Sequence, residues 1–180
     1  MMPISRYSLF ETAIGTCAVA FTARGISRVG LPEPSRAALC ARFDARADRM
    51  DGPLPAEIQR AVDAMSAHLG GDLQDLAMLP VDLGEVAPFD ARVYDLTRRI
   101  APGRTRTYGE LAAELGGTGL SQAVGQSLGR NPVPLIVPCH RVIRAGGEPG
   151  GFSAVGGTAL KLRLLALEGA GGPQLGLTLD

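Results

Sequence analysis

Along residues 5–31, SRYSLFETAIGTCAVAFTARGISRVGL, apolar and polar positions alternate, and Gly15 and Gly25 punctuate the alternation. A period of two is that of a half-buried strand, so the stretch reads as consecutive strands joined at the glycines. After Leu31 the period changes. PSRAALCARFDARA places Leu39, Cys40, Phe43 and Ala47 on one helical face. A second helix from about Pro55 buries Ile58, Val62, Met65 and Leu69 and stops at Gly70-Gly71. Strands followed by helices predict a small α/β or α+β layer. PVDLGEVAP (80–88) reads as a linker.

Beyond it the pattern is helical with turns. FDARVYDLTRRI spaces Phe89, Val93, Leu96 and Ile100 as one face, ended by Pro102-Gly103. Thr107 to Glu110 has the form of a capping box opening the helix YGELAAEL, which Gly116-Gly117 closes. SQAVGQSLGRN follows as a second short helix. Two short helices about a glycine-containing turn outline either a helix-turn-helix or a plain helical hairpin, and the pattern alone does not choose. TALKLRLLALE (158–168) is the last predicted helix, before a glycine-rich tail.

Composition sets the class. With 46% hydrophobic and 20% charged residues and mean hydropathy +0.13, the 180-residue chain is that of a folded globular protein. Its apolar runs are short of a membrane span and its first residues lack a signal-peptide pattern, so the expected address is cytoplasmic. Net charge is 0, which argues against nucleic acid until its distribution is considered. Residues 1–88 carry −3 and residues 89–168 carry +4, so the second half permits phosphate contact. Three cysteines cannot all pair, and in a reducing compartment each is weighed alone. Cys17 shares a strand face with Val19 and Phe21, and Cys40 lies on the apolar side of a helix, so both read as core.

Cys139 differs. It ends NPVPLIVPCHRVIR (131–144), in which Pro134 and Pro138 remove backbone donors and force an extended or irregular path. A thiol on so stiff a backbone can meet an electrophile in one geometry. An ordinary cysteine, with a pKa near ~8.5, needs a base to become the nucleophilic thiolate. His140 is adjacent but requires a turn or a bridging water to serve, and Arg141 and Arg144 add positive potential. The competing reading is a buried small side chain beside a satisfied histidine.

PCHRVI, preceded by GRNPVP and followed by GGFS, resembles the active-site motif of the O6-alkylguanine-DNA alkyltransferases (methylated-DNA–protein cysteine methyltransferases). The similarity runs from about Phe89 to Gly169, and more loosely from about Met65 to Leu83. It implies a small RNase H-like domain followed by a helical, winged-helix-like DNA-binding domain. The expected boundaries are a scaffold domain at 1–84, a transferase domain at 85–169 and a flexible tail at 170–180.

The resemblance also implies a DNA-repair activity. A guanine flipped from double-stranded DNA gives its O6-alkyl group to a cysteine, once per protein molecule, with no cofactor and no metal. The protein is expected to act as a monomer away from membranes. Cys139 then matches the acceptor, His140 the base that deprotonates it through water, and Glu168 the carboxylate that orients the imidazole. Tyr108 matches the hydroxyl assisting N3 of the leaving base; without the resemblance it reads as a half-buried ring at a capped helix start. Asn131 matches the residue tying the recognition helix to the active-site segment, or, from sequence alone, a helix C-cap. The carbonyls of Cys139 and Val142 match those reading the exocyclic amine, Ser153 the contact to O6, and Phe152 an apolar wall. Gln122, Ala123 and Gly125 in LSQAVG, with Arg130 and Arg141, are expected at the DNA or the substrate. The family typically has an intercalating arginine where this chain has Gln122, and a small residue where it has Gln126. Those departures keep two alternatives open: an alkyltransferase-like damage sensor, and a transferase for an unusual or bulky adduct.

Overall fold

The computed structural model describes residues 5–84 and 86–170. Among them the chain forms two compact units, one of residues up to 84 together with Pro132–Pro134, the other of residues 86–131 and 135–170.

In the first unit the predicted strands are β1 (Arg6–Thr12), β2 (Gly15–Thr22) and β3 (Gly25–Gly30), antiparallel neighbours in a sheet of order β3-β2-β1-β4. The two-residue β4 (Asp48–Arg49) runs parallel to β1, a pairing too short to leave a sequence period. Thr12 closes the first hairpin by donating its hydroxyl to the Gly15 carbonyl at 2.7 Å. Helix α1 (Arg36–Asp44) starts where the Ser35 hydroxyl accepts the Ala38 N–H, and its Leu39 and Phe43 pack with Tyr7, Ala18 and Ala20 of the sheet. Cys40, expected in the core, is only half-buried because the helix turns Leu39 and Phe43 inward instead. Cys17, Val19 and Phe21 are all buried on the opposite strand face. Helix α2 (Ala56–Leu69) lies against β1, with Ile58, Val62, Met65 and Leu69 buried as their spacing requires.

The start of the predicted linker is part of the sheet edge. Pro80 accepts the Ile26 N–H, Asp82 donates its N–H to the Ile26 carbonyl, and Val81 forms a parallel bridge with Ile26. The reason is that β3 would otherwise leave these groups unpaired.

The second unit contains α3 (Pro88–Arg98), β5 (Arg106–Thr107), α4 (Tyr108–Leu115), α5 (Ser121–Gly129), β6 (Val142–Ile143) and α6 (Gly157–Leu167). The fold is mixed α/β with a helical second half. Helices α3, α4 and α5 pack on one another, α4 and α5 being joined by a tight turn at Thr118–Leu120. Both capping-box bonds of α4 form, with Glu110 N–H on the Thr107 hydroxyl and Thr107 N–H on the Glu110 carboxylate. The inward face of α3 is Val93, Tyr94 and Thr97, with Phe89 and Leu96 only half-buried. Two polar side chains are accommodated because Thr97 donates to the Val93 carbonyl and Tyr94 to the Ser127 carbonyl. Strands β5 and β6 pair in parallel, Thr107 opposite Ile143, which sets the start of α4 beside the segment that follows Cys139. No helix among the described residues is long and apolar enough to cross a membrane. Of the predicted tail, residues 171–180 lie outside the described residues.

Candidate active site

Between Asn131 and β6 the chain follows an irregular path with Val133, Leu135, Ile136 and Val137 all buried. Leu135 has φ 74°, a left-handed conformation that a bulky side chain rarely takes and that its buried neighbours must hold in place. At Pro138 (φ −79°, ψ 66°) the chain makes an inverse γ-turn, closed by the Cys139 N–H on the Val137 carbonyl at 2.8 Å. A short 3-10 turn, Cys139–Arg141, follows directly. The sequence thus fixes the thiol at a corner whose backbone bonds are already made.

Asn131 braces that corner. Its amide donates to the Val137 carbonyl at 2.8 Å and points at Cys139 Sγ at 3.3 Å. Cys139 is 6% exposed, and that small opening faces a cavity of about 520 Å³. Tyr108, Gln122, Gly125, Gln126, Phe152 and Ser153 are among the residues around it. The volume is that of a small-molecule site, with room for a purine beside the sulfur. Burial pushes the Cys139 thiol up from its ordinary pKa, against the pull of the Asn131 amide, the Lys161 charge and the backbone N–H groups of Cys139 and His140. Burial and the neighbouring cysteine also raise the Tyr108 hydroxyl, opposed by Arg144. At neutral pH both groups therefore keep their protons.

His140 and Glu168 meet although 28 residues separate them: His140 Nε2 lies 2.9 Å from Glu168 Oε1, and both are buried. Gly103 donates its N–H to the same carboxylate at 3.3 Å, with a φ of 75° and no room for a Cβ, which would sit 2.8 Å from the Glu168 carbonyl. Pro102-Gly103 therefore ends the α3 region and also closes on Glu168.

Arg141 corrects its expected role. It is buried, gives two bonds to Glu168 (2.9 and 2.7 Å) and a third to the Ile100 carbonyl, and is not part of the cavity wall. Its charge is directed at the carboxylate, so it holds the His140 partner in place. Arg130 pairs with Asp90 at 2.8 Å, and the Ser127 hydroxyl donates to the same carboxylate. Burial opposes ionisation of Asp90, yet the Ser127 and Arg130 bonds hold its carboxyl below the usual range. This cluster fastens α5 to α3, leaving Arg130 and Ala123 outside the cavity lining. Gln122 and Gln126 are exposed at the rim, one helical turn apart.

Sequence reasoning missed Lys161. It is fully buried on α6, donates to the Val142 carbonyl at 2.6 Å and to the Gly151 carbonyl at 3.3 Å, and approaches the Tyr108 hydroxyl at 3.4 Å. The Val142 carbonyl, expected to read the base, is thus also bonded to lysine. Burial pushes the Lys161 ammonium down to about 8, with Arg144 adding to the shift and Cys139 opposing it. A signal existed: Lys161 is the sole lysine in a chain that otherwise uses arginine. Lysine, unlike arginine, shifts its pKa readily when buried.

Residues 88–170 match the family model for the DNA-binding domain of 6-O-methylguanine DNA methyltransferase. The methylated-DNA–protein-cysteine methyltransferase of Methanothermobacter thermautotrophicus is 41% identical over 119 residues, which span 66% of this chain and 65% of that one. The protein of the same description from Methanosarcina acetivorans is 32% identical over 168 residues, 91% of this chain and 98% of that one. The crystal structure of Mycobacterium tuberculosis OGT in complex with DNA is similar at a TM-score of 0.73 and 32% identity, covering 91% of this chain and 92% of that one.

Proposed function

Because the chain belongs to the methylated-DNA–protein-cysteine methyltransferase family, we propose that it repairs DNA by moving an O6-alkyl group from a flipped guanine to Cys139, once per molecule. The observation that carries the reading is Cys139 lining a cavity with room for a purine, next in the chain to His140 and its buried pairing with Glu168.

At rest the thiol is protonated, which protects it from solvent electrophiles. With Nε2 held by Glu168, His140 takes the thiol proton through a water at its other ring nitrogen. The thiolate attacks the alkyl carbon in line, an S–C bond forms and the C–O6 bond breaks. Negative charge then grows on the guanine. The protonated Tyr108 hydroxyl donates to N3 and Ser153 donates to O6, so the leaving base departs neutralised. Lys161 supports Tyr108 from behind, directing the phenol proton toward the base. The loop Glu148–Ser153 is rich in glycine and can lie close to a planar ring; a Cβ at Gly150 would be 3.2 Å from the Tyr108 ring and hydroxyl.

Double-stranded DNA carrying O6-alkylguanine is the partner this chemistry requires, and the exposed position of Gln122 at the cavity rim supports a role for it in filling the place of the flipped nucleotide. Retention of the thiol favours transfer over sensing alone. With limiting protein and excess O6-methylguanine duplex, repair should stop at one lesion per chain, and Cys139→Ala should repair none while still binding DNA. Continued turnover, or equal repair by the alanine variant, contradicts the proposal.

A further inference from the structure

The first unit holds a small pocket of about 170 Å³, with Ser5, Ser27, Arg28 and Arg46 around a floor that includes Ala20 and Phe43. Arg28 stands opposite Ala20 in the β2–β3 ladder, where the sheet register shifts between Ala20 and Phe21. The small partner and the irregularity leave room beside the guanidinium. The hydroxyls of Ser5 and Ser27 are 3.5 Å apart at the same place.

The charges here are unusual. Arg42 on α1 is neutralised by Glu33, but the guanidiniums of Arg28 and Arg46 have no carboxylate or carbonyl partner among the described residues. Arg28 is half-buried, and burial together with the like charges of Arg46 and Arg42 lowers its pKa. Two cations lining one pocket, Arg28 half-buried and Arg46 exposed, repel each other, and an anion between them relieves that repulsion.

We propose that this pocket binds a phosphoryl group. Guanidinium forks match phosphate oxygens, two hydroxyls add neutral donors, and the apolar floor strengthens each charge-assisted bond. The size fits the class: the pocket is smaller than the ~300–1,000 Å³ of organic-ligand sites and suits one tetrahedral oxyanion. The carbonyl end of α1, near Arg42 and Arg46, is unfavourable to an anion, so binding depends on both unpartnered arginines. The phosphoryl group can belong to a nucleic-acid backbone or to a small phosphate. Neither source requires Cys139 chemistry, so failure here leaves the transfer reading untouched.

The test follows the Arg28 Nε–Hε resonance of the full chain during titration with inorganic phosphate at constant ionic strength. Arg28 should shift saturably, while exposed Arg60 on α2 responds weakly and linearly. Arg46→Gln, a change on an exposed side chain that does not threaten the fold, should weaken the apparent affinity roughly tenfold. A linear Arg28 response equal to that of Arg60, or saturation unaffected by Arg46→Gln, overturns the proposal. The source is read separately from the salt dependence of binding to undamaged duplex. A slope shallower by about one in Arg46→Gln assigns the site to a DNA phosphate. Equal slopes, with the phosphate titration still saturable, assign it to a small phosphate.

Discussion

The two units of this chain are built on opposite terms. In the first, the buried residues among those described are apolar apart from Tyr7, whose hydroxyl reaches Asp44, and His68, whose Nδ1 accepts the Gln74 N–H, and the two carboxylates tucked in at its edge, Asp82 and Glu33, each meet an exposed arginine. The second buries Asp90, Thr97, Ser127, His140, Arg141, Lys161 and Glu168. Removing charges from water is costly, and a paired buried charge rarely adds stability over an apolar replacement. The first unit is therefore organised for cohesion, and the second accepts a costlier core that orients an imidazole, a phenol and a thiol.

That contrast predicts mutational effects of very different size. The largest is chemical: Cys139→Ser should abolish alkyl acceptance while leaving the melting temperature nearly unchanged, since the volume and corner geometry are retained. Next, Glu168→Gln leaves buried Arg141 without its counter-charge and should cost on the order of 3–5 kcal/mol in denaturant unfolding, besides slowing transfer. The matching change in the first unit, Asp51→Asn opposite exposed Arg49, should leave the denaturant midpoint nearly unchanged. Equal costs would break the contrast.

Lys161 gives a pH test. Its pKa is about 8 in the fold against the model-peptide value of 10.5, so between these the unfolded chain binds more protons and stability rises with pH. Wild type should therefore gain relative to Lys161→Met as pH climbs from about 8 to 10.5, by on the order of 3 kcal/mol at most, as read by unfolding curves. A flat difference would show that the lysine titrates normally. A smaller effect is expected at Gly150. Gly150→Ala, with φ 71° and a crowded Tyr108, should destabilise by about 1 kcal/mol and slow transfer, whereas Gly52→Ala, which meets nothing within 4 Å, should do neither.

How much was legible follows the same division. Local signals located the elements well: period two for β1–β3, the capping box for α4, and glycine or proline at the helix ends. What failed was long-range. Nothing local reveals that Val81 pairs with Ile26, because sheet edges are completed by whatever strand-like residues arrive. The α3 face was misjudged because Thr97 and Tyr94 bury polar tips on carbonyls that only the fold supplies. In the site, motif resemblance brought Cys139, His140, Glu168, Tyr108 and Asn131 forward; Asn131 reaches the Cys139 sulfur, His140 meets Glu168, and Tyr108 shares a cavity with Cys139. Arg141 was misread as substrate-facing because its partner lies 27 residues away. Lys161 was overlooked within an apolar helix, although its being the sole lysine was visible throughout.

The most direct test locates the transferred carbon. After reaction with a duplex carrying O6-methylguanine, the protein is digested and each cysteine-containing peptide is weighed. One added methyl on the Cys139 peptide, with the Cys17 and Cys40 peptides unchanged, is the predicted result. A methyl on either other cysteine, or none anywhere while the duplex is bound, contradicts it.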